Sequence, residues 1–251
     1  MHKSRPLADR IALVTGASRG IGAATALVLA EAGAHVVAIA RGTEALSELD
    51  RQIRAAGGSA TPMPLDVRDA EAIARLAAML QDRFHRLDVL VGNAGTHGPI
   101  SAICPLPQIE PAVWHEVMTV NVTANYQLIR NLDSLLRQSD AGRAVFMTSS
   151  IVSLARADSA AYAASKGALE LLVRTYANET TSTPLRVNLF NPGPTRTQMR
   201  ATRFPNEDPL TLDTPAQVAE KILELCVPSF GETGKIYDYR YKKLLSYRPP
   251  G

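Results

Sequence analysis

Tyr162 and Lys166 stand four residues apart in the run Tyr162-Ala163-Ala164-Ser165-Lys166, a spacing that puts a phenol and an ammonium on one helix face. A tyrosine hydroxyl, with an ordinary pKa of about 10, is a poor base at neutral pH. An ammonium beside it favours the phenolate, and lowering that pKa by ~2–3 pH units corresponds to about 3–4 kcal/mol. Such a pair suits proton transfer to and from the oxygen of a carbonyl or an alcohol. Just upstream, Thr148-Ser149-Ser150 offers hydroxyls at the end of a strand-like run.

A second chemical feature opens the chain. Gly16, Ser18, Arg19, Gly20, Ile21 and Gly22 follow one short apolar run and precede an Ala/Leu-rich helical one. Glycines at a strand-to-helix turn let backbone N–H groups approach a pyrophosphate, and the helix N-terminus offers unpaired donors and a positive dipole end. About twenty residues later, NAD-specific folds place an acid that binds the ribose hydroxyls. Here Ala40 stands there with Arg41 beside it, so a 2′-phosphate meets no repulsion and Arg41 can clamp it. Arg19 can reach the same phosphate. Each charge-assisted contact contributes ~1.5–3 kcal/mol, so two favour NADP(H) over NAD(H) by roughly 10²–10⁴. Residues 16–20 also satisfy the G-x-S-x-G elbow of serine hydrolases. That reading is poor, because only one strand precedes Ser18 and no histidine follows His115.

The elements that must position these residues alternate. Buried-strand runs are expected at 11–14, 36–39, 89–91, 144–147 and 186–190, each short and rich in Val, Ile or Leu. A weaker run at 60–65 holds two prolines and is expected near a sheet edge. Helical patterns fill 21–32, 44–56, 69–84, 111–138, 160–181 and 215–226. This rhythm predicts an α/β fold, a Rossmann-type doubly wound parallel sheet of about seven strands in a single domain spanning 1–251. Residues 193–214 break the rhythm with three prolines and little periodicity, and are expected to be a substrate-loop insertion acting as a lid. Arg196, Arg200 and Arg203 in it read either as contacts for an acidic substrate or as a solvated polar loop. The tail 236–241 alternates as one edge strand would.

Composition excludes several classes. The 251 residues are 46% hydrophobic with a net charge of +3, unlike a disordered chain. The arginines are scattered near carboxylates, not gathered in a nucleic-acid stripe. Residues 1–10 are polar, so no signal peptide is expected, and the longest apolar stretch, 21–40, is interrupted by polar residues and glycine. Two cysteines and five histidines show no metal-ligand spacing. A cytoplasmic protein with no metal, no membrane partner and no nucleic-acid partner is expected.

Together the glycine turn, Asn93-Ala94-Gly95, Asn121, Ser150, Tyr162-Ala163-Ala164-Ser165-Lys166 and Asn191-Pro192-Gly193-Pro194-Thr195 resemble the short-chain dehydrogenases/reductases of classical type. The match runs in order through nearly the whole chain, and the lid region is similar to a bacterial subgroup of unassigned substrate. The resemblance implies catalytic Ser150, Tyr162, Lys166 and Asn121, with Lys166 also holding the nicotinamide ribose and Asn121 kinking its helix around a water. Asp66 and Val67 then meet adenine. Asn93, Ala94 and Gly95 line the cofactor with Pro192 and Gly193, and Thr195 reaches the carboxamide. For the serine, the family's thirteen-residue offset from tyrosine points to Ser149, whereas the apolar pair Ile151-Val152 points to Ser150, which is taken here. The resemblance implies a homodimer or homotetramer acting on a small-molecule carbonyl or alcohol. A non-catalytic NADP(H)-binding sensor is the alternative, and the intact Tyr162/Lys166 pair argues against it.

Overall fold

In the computed structural model, residues 5–247 are described; His2 and the start of the polar N-terminal stretch lie outside them. Strand β1 (Ile11–Thr15) leads through the glycine turn into α1 (Gly20–Glu31), and β2 (His35–Ala40), α2 (Thr43–Ala55), β3 (Ser59–Pro64), α3 (Ala70–Phe84) and β4 (Val89–Gly92) continue the alternation. After a long loop come α4 (Pro111–Met118), a π-helical segment (Thr119–Thr123), α5 (Ala124–Gln138), β5 (Arg143–Met147) and α6 (Ile151–Leu154). The chain closes with α7 (Ala160–Glu179), β6 (Arg186–Asn191), α8 (Gln198–Arg203), α9 (Pro215–Cys226), β7 (Lys235–Asp238) and β8 (Lys243–Ser246).

The strands form one sheet in the order β3-β2-β1-β4-β5-β6-β7-β8, parallel except for β8, which runs antiparallel to β7. This is the α/β doubly wound architecture, with the proline-bearing β3 at an edge as its composition requires. Both faces are covered. Ala12, Val14, Val36 and Ala38 point into one core with Leu29 of α1 and Ile222 of α9. Leu13, Val37 and Ile39, the alternate residues, point into a second core with Leu80, Leu132 and Val173. The period of two, apolar on both sides, is why these strands read as continuous hydrophobic runs.

The sheet has one strand more than the seven the sequence suggests. Residues 236–241 do not form one strand: β7 stops at Asp238, Tyr241 N donates to Asp238 Oδ1 at 3.3 Å, and Lys242 takes a positive φ of 51°. The chain turns back there, leaving β8 wholly exposed at the edge. The expected helix 111–138 is likewise interrupted. Its middle turn widens to π geometry around Asn121, and the side chain of Asn125 donates to the Asn121 carbonyl at 2.8 Å.

The sheet centre has little slack. A Cβ at Gly92 would lie 2.4 Å from the Phe146 ring and 2.7 Å from Asn125 Oδ1. Gly92→Ala is therefore expected to cost about 1–3 kcal/mol through overpacking, read as a lower urea midpoint at unchanged slope.

Candidate active site

The C-terminal ends of the parallel strands open onto a cleft of about 520 Å³, at the place where strand order reverses between β1 and β4. Gly16 and Gly20 have φ of 67° and 58°, conformations that favour glycine. Gly22 is fixed by space: a Cβ there would lie 2.3 Å from the Gly16 carbonyl oxygen and 2.5 Å from Asn93 Nδ2. The first turn of α1 has neither a side-chain cap nor an acidic residue, so its N–H groups face the cleft as an anion site. Thr15 joins the two strand ends, its hydroxyl accepting from the backbone of Asn93 at 3.0 Å and Ala94 at 2.9 Å. All the expected turn residues, Gly16, Ser18, Arg19, Gly20, Ile21 and Gly22, line this cleft, as do Asn93, Ala94 and Gly95.

Arg41, Asp66 and Val67 line its far end, where Arg19 and Arg41 are exposed. Sequence reasoning missed Arg68, which also lines it. Its guanidinium grips the Asp66 carboxylate, with Nη2 donating to Oδ2 at 2.6 Å, and holds that carboxyl below its usual range. The signal was present as a cation directly after Asp66-Val67.

Tyr162 and Lys166 of α7 line the inner end with Met147 of β5 and Thr148 just after it. Lys166 is 4% exposed. Its Nζ donates to the Met147 carbonyl at 2.7 Å and stands 5.8 Å from the centre of the Tyr162 ring. Burial pushes the ammonium down to about 8, with Glu170 opposing. The Tyr162 hydroxyl goes up, not down as the sequence suggests: burial raises it and outweighs the opposing hydrogen bond from Ser149.

That hydrogen bond also separates the two serines. Ser149 reaches Tyr162, whereas Ser150 opens α6 with its backbone N–H held by Asn191 Oδ1 at 3.1 Å. Ile151-Val152 starts α6, and Ser150 sits at that helix's N-terminal boundary.

Asn121 is fully buried behind the cleft. Its amide accepts from Thr96 N at 2.8 Å and donates to the Thr96 carbonyl at 2.7 Å and to Ser165 Oγ at 2.9 Å. Pro192 lines the cleft, but Gly193 and Thr195 are not among its walls. The buried Thr195 hydroxyl donates to the Pro192 carbonyl at 3.3 Å. His97 lines the cleft and Cys104 does not. Among the described residues no cluster of His, Cys, Asp or Glu could hold a metal, and no helix is long and apolar enough to cross a membrane.

The sequence profile of the short chain dehydrogenase family matches residues 10–208. The chain belongs to that family. It is 41% identical over 236 residues to the uncharacterized oxidoreductase YciK of Escherichia coli (strain K12), covering 92% of each chain. A short chain dehydrogenase from Shigella flexneri 2a str. 301, solved in complex with NADP, superposes with a TM-score of 0.89 at 40% identity, covering 95% of this chain and 100% of that one. One from Escherichia coli CFT073, solved with NADPH, gives 0.89 at 41% identity, covering 95% and 99%. The protein is thus an oxidoreductase of the short-chain dehydrogenase family, and its mostly parallel sheet is that of its solved relatives.

Over the cleft, Thr197, Gln198, Met199 and Thr202 form the lid-side wall. The lid arginines face elsewhere. Arg196 donates to the Leu212 carbonyl at 3.2 Å, and Arg200 grips Glu207 at 2.6 Å while covering the Phe204 ring. Arg203 donates to Ser159 Oγ at 2.7 Å, directly before the catalytic-pair helix. Of the two sequence readings of these arginines, contacts within the protein itself are what the structure holds. The loop is anchored by polar bonds more than by its few apolar residues. Arg203→Ala should therefore raise amide exchange across 197–204 by about tenfold, the loss of one charge-assisted bond of ~1.5 kcal/mol, while the core strands keep their protection.

Proposed function

We propose that this short-chain dehydrogenase uses NADP(H), in preference to NAD(H), to interconvert a carbonyl and a secondary alcohol. The observation that carries the reading is one continuous cleft. An anion-binding glycine turn with two exposed arginines lies at one end, and a tyrosine, backed by Ser149, and a buried lysine lie at the other. The fit of a dinucleotide is supported by the glycine turn, where Gly22 admits no Cβ. Arg19 and Arg41 suit a 2′-phosphate, the α1 N-terminus suits the pyrophosphate, and the solved relatives that carry NADP and NADPH support the same assignment. Asp66 and Val67 are assigned to the adenine end, and Asn93, Ala94, Gly95 and Pro192 to the walls. Gly193 and Thr195 belong to the hinge beside the nicotinamide end.

Bound there, the reduced nicotinamide supplies a hydride. The chain's own residues do the rest. Ser149 holds the substrate oxygen, and Tyr162 gives that oxygen its proton during reduction and takes it back during oxidation. Lys166 holds the cofactor ribose and favours the phenolate left on Tyr162. Asn121 fixes the loop through Thr96 and the catalytic helix through Ser165, a positioning role. The lid-side wall of Thr197, Gln198, Met199 and Thr202 closes over a small, uncharged part of the substrate. Assembly as a homodimer or homotetramer is supported by Tyr126 and Leu171, which expose 45% and 61% of their surface on α5 and α7.

Fluorescence titration with each reduced cofactor tests the reading. NADPH should bind roughly 10²-fold more tightly than NADH or better, and Arg41→Ala should remove about tenfold of that ratio. Equal affinities, or none, would sink the assignment. For the serine, Ser149→Ala should lower kcat by about 10²-fold or more, in line with loss of a donor to a reacting oxygen, and Ser150→Ala should leave it near the native value. The reverse order would restore Ser150.

A further inference from the structure

One buried charge next to the reacting pair has no part in the scheme above. Glu170 lies one helical turn beyond Lys166, on the same inward face of α7, and is 8% exposed. Residues at this spacing have Cβ atoms about 5–6 Å apart. Two hydroxyls donate to its carboxylate: Thr148 Oγ1 to Oε1 at 2.5 Å and Tyr247 Oη to Oε2 at 2.5 Å. Thr148 immediately follows Met147, whose carbonyl receives the Lys166 ammonium. One carboxylate therefore ties together the end of β5, α7 and the residue that follows β8. Tyr247 is itself fixed, with the Arg174 guanidinium 3.5 Å from its ring centre.

A buried carboxylate used only as a peg is a costly choice, because desolvating it costs several kcal/mol and an apolar residue of similar size fills the same space. A buried ammonium nearby changes that balance. Among the described residues, the other groups facing Lys166 are neutral. Its own helix presents the Tyr162 phenol, β5 presents the Met147 carbonyl and Thr148 hydroxyl, and the loop after β4 presents backbone at Gly95. The π segment presents the Asn121 amide, and on the far side of Glu170 stands Tyr247, whose hydroxyl burial and Glu170 push up, so that it remains a donor. Glu170 is the charge that acts on Lys166.

We propose that Glu170 is a positioning residue whose carboxylate, held in place by Thr148 and Tyr247, keeps Lys166 in its ammonium form beneath Tyr162. This rests on the reading of Tyr162 and Lys166 as the reacting pair. Because burial draws the lysine down to about 8 even with the Glu170 carboxylate opposing it, losing that carboxylate lets it fall further. At neutral pH a growing fraction then becomes the neutral amine, which neither favours a phenolate nor holds a ribose as an ammonium does.

Nuclear magnetic resonance of ¹⁵N-lysine-labelled protein tests this with neither cofactor nor substrate, so its failure is distinct from failure of the NADPH titration. The chain has six lysines, and the signal lost in Lys166→Met identifies the one that matters. In Glu170→Gln the Lys166 midpoint should fall by about one pH unit or more, the effect of an opposite charge at this range. Glu170→Asp should recover part of the fall, and Glu179→Gln, exposed on the same helix, should leave the midpoint alone. A merely structural peg would lower the melting temperature and not move the midpoint. If Glu170→Gln does not fold, the triple replacement Thr148→Val, Glu170→Leu, Tyr247→Phe removes the carboxylate together with its donors and carries the same titration. A folded variant lacking the carboxylate with a native Lys166 midpoint overturns the proposal.

Discussion

The site depends on holding a positive charge where water does not reach it. Lys166 is nearly buried, and its ammonium is satisfied by a backbone carbonyl at the end of β5. That bond fixes α7 against the strand end. The same helix face then sets Tyr162 against Ser149 and brings Tyr162 to the cleft wall. An ammonium in this position is worth far more to a developing phenolate than one in water, because the low dielectric strengthens their attraction. The cost of its desolvation is met by packing around a sheet covered on both faces.

The other half of the cleft is governed by close approach of backbone to backbone. β1 and β4 are adjacent and parallel, so the turn leaving β1 crosses the end of β4 at Asn93. Thr15 and Gly22 settle that crossing, one by accepting backbone N–H groups and the other by having no side chain. The uncapped start of α1 is left facing open space. The proposed anion binding at one end and proton transfer at the other thus draw on the same strand ends.

Much of this was legible in the sequence because it depends on local rules. Period-two apolar runs marked the strands, two prolines marked the edge strand β3, and the glycine set marked the turn. The i, i+4 spacing brought Tyr162 and Lys166 together. What was not legible depends on tertiary contacts. The reversal at Lys242 that creates β8 rests on a left-handed turn in a residue type that rarely adopts one. The contact between Ser149 and Tyr162 depends on where α6 begins. The upward shift of Tyr162 depends on burial that spacing alone does not reveal. Nothing local in the sequence singles out Glu170, because its partners Thr148 and Tyr247 lie 22 and 77 residues away.

The central claim is that Tyr162 carries the proton while the rest of the cleft carries the cofactor. The most direct measurement is NADPH consumption by native protein and Tyr162→Phe across a panel of ketones, sugars, steroids and acyl-thioester carbonyls, with NADPH affinity measured in parallel. For any compound the native protein reduces, the variant should lose about 10²–10⁴-fold in turnover with NADPH affinity nearly unchanged. A variant that turns over like the native protein would contradict this account.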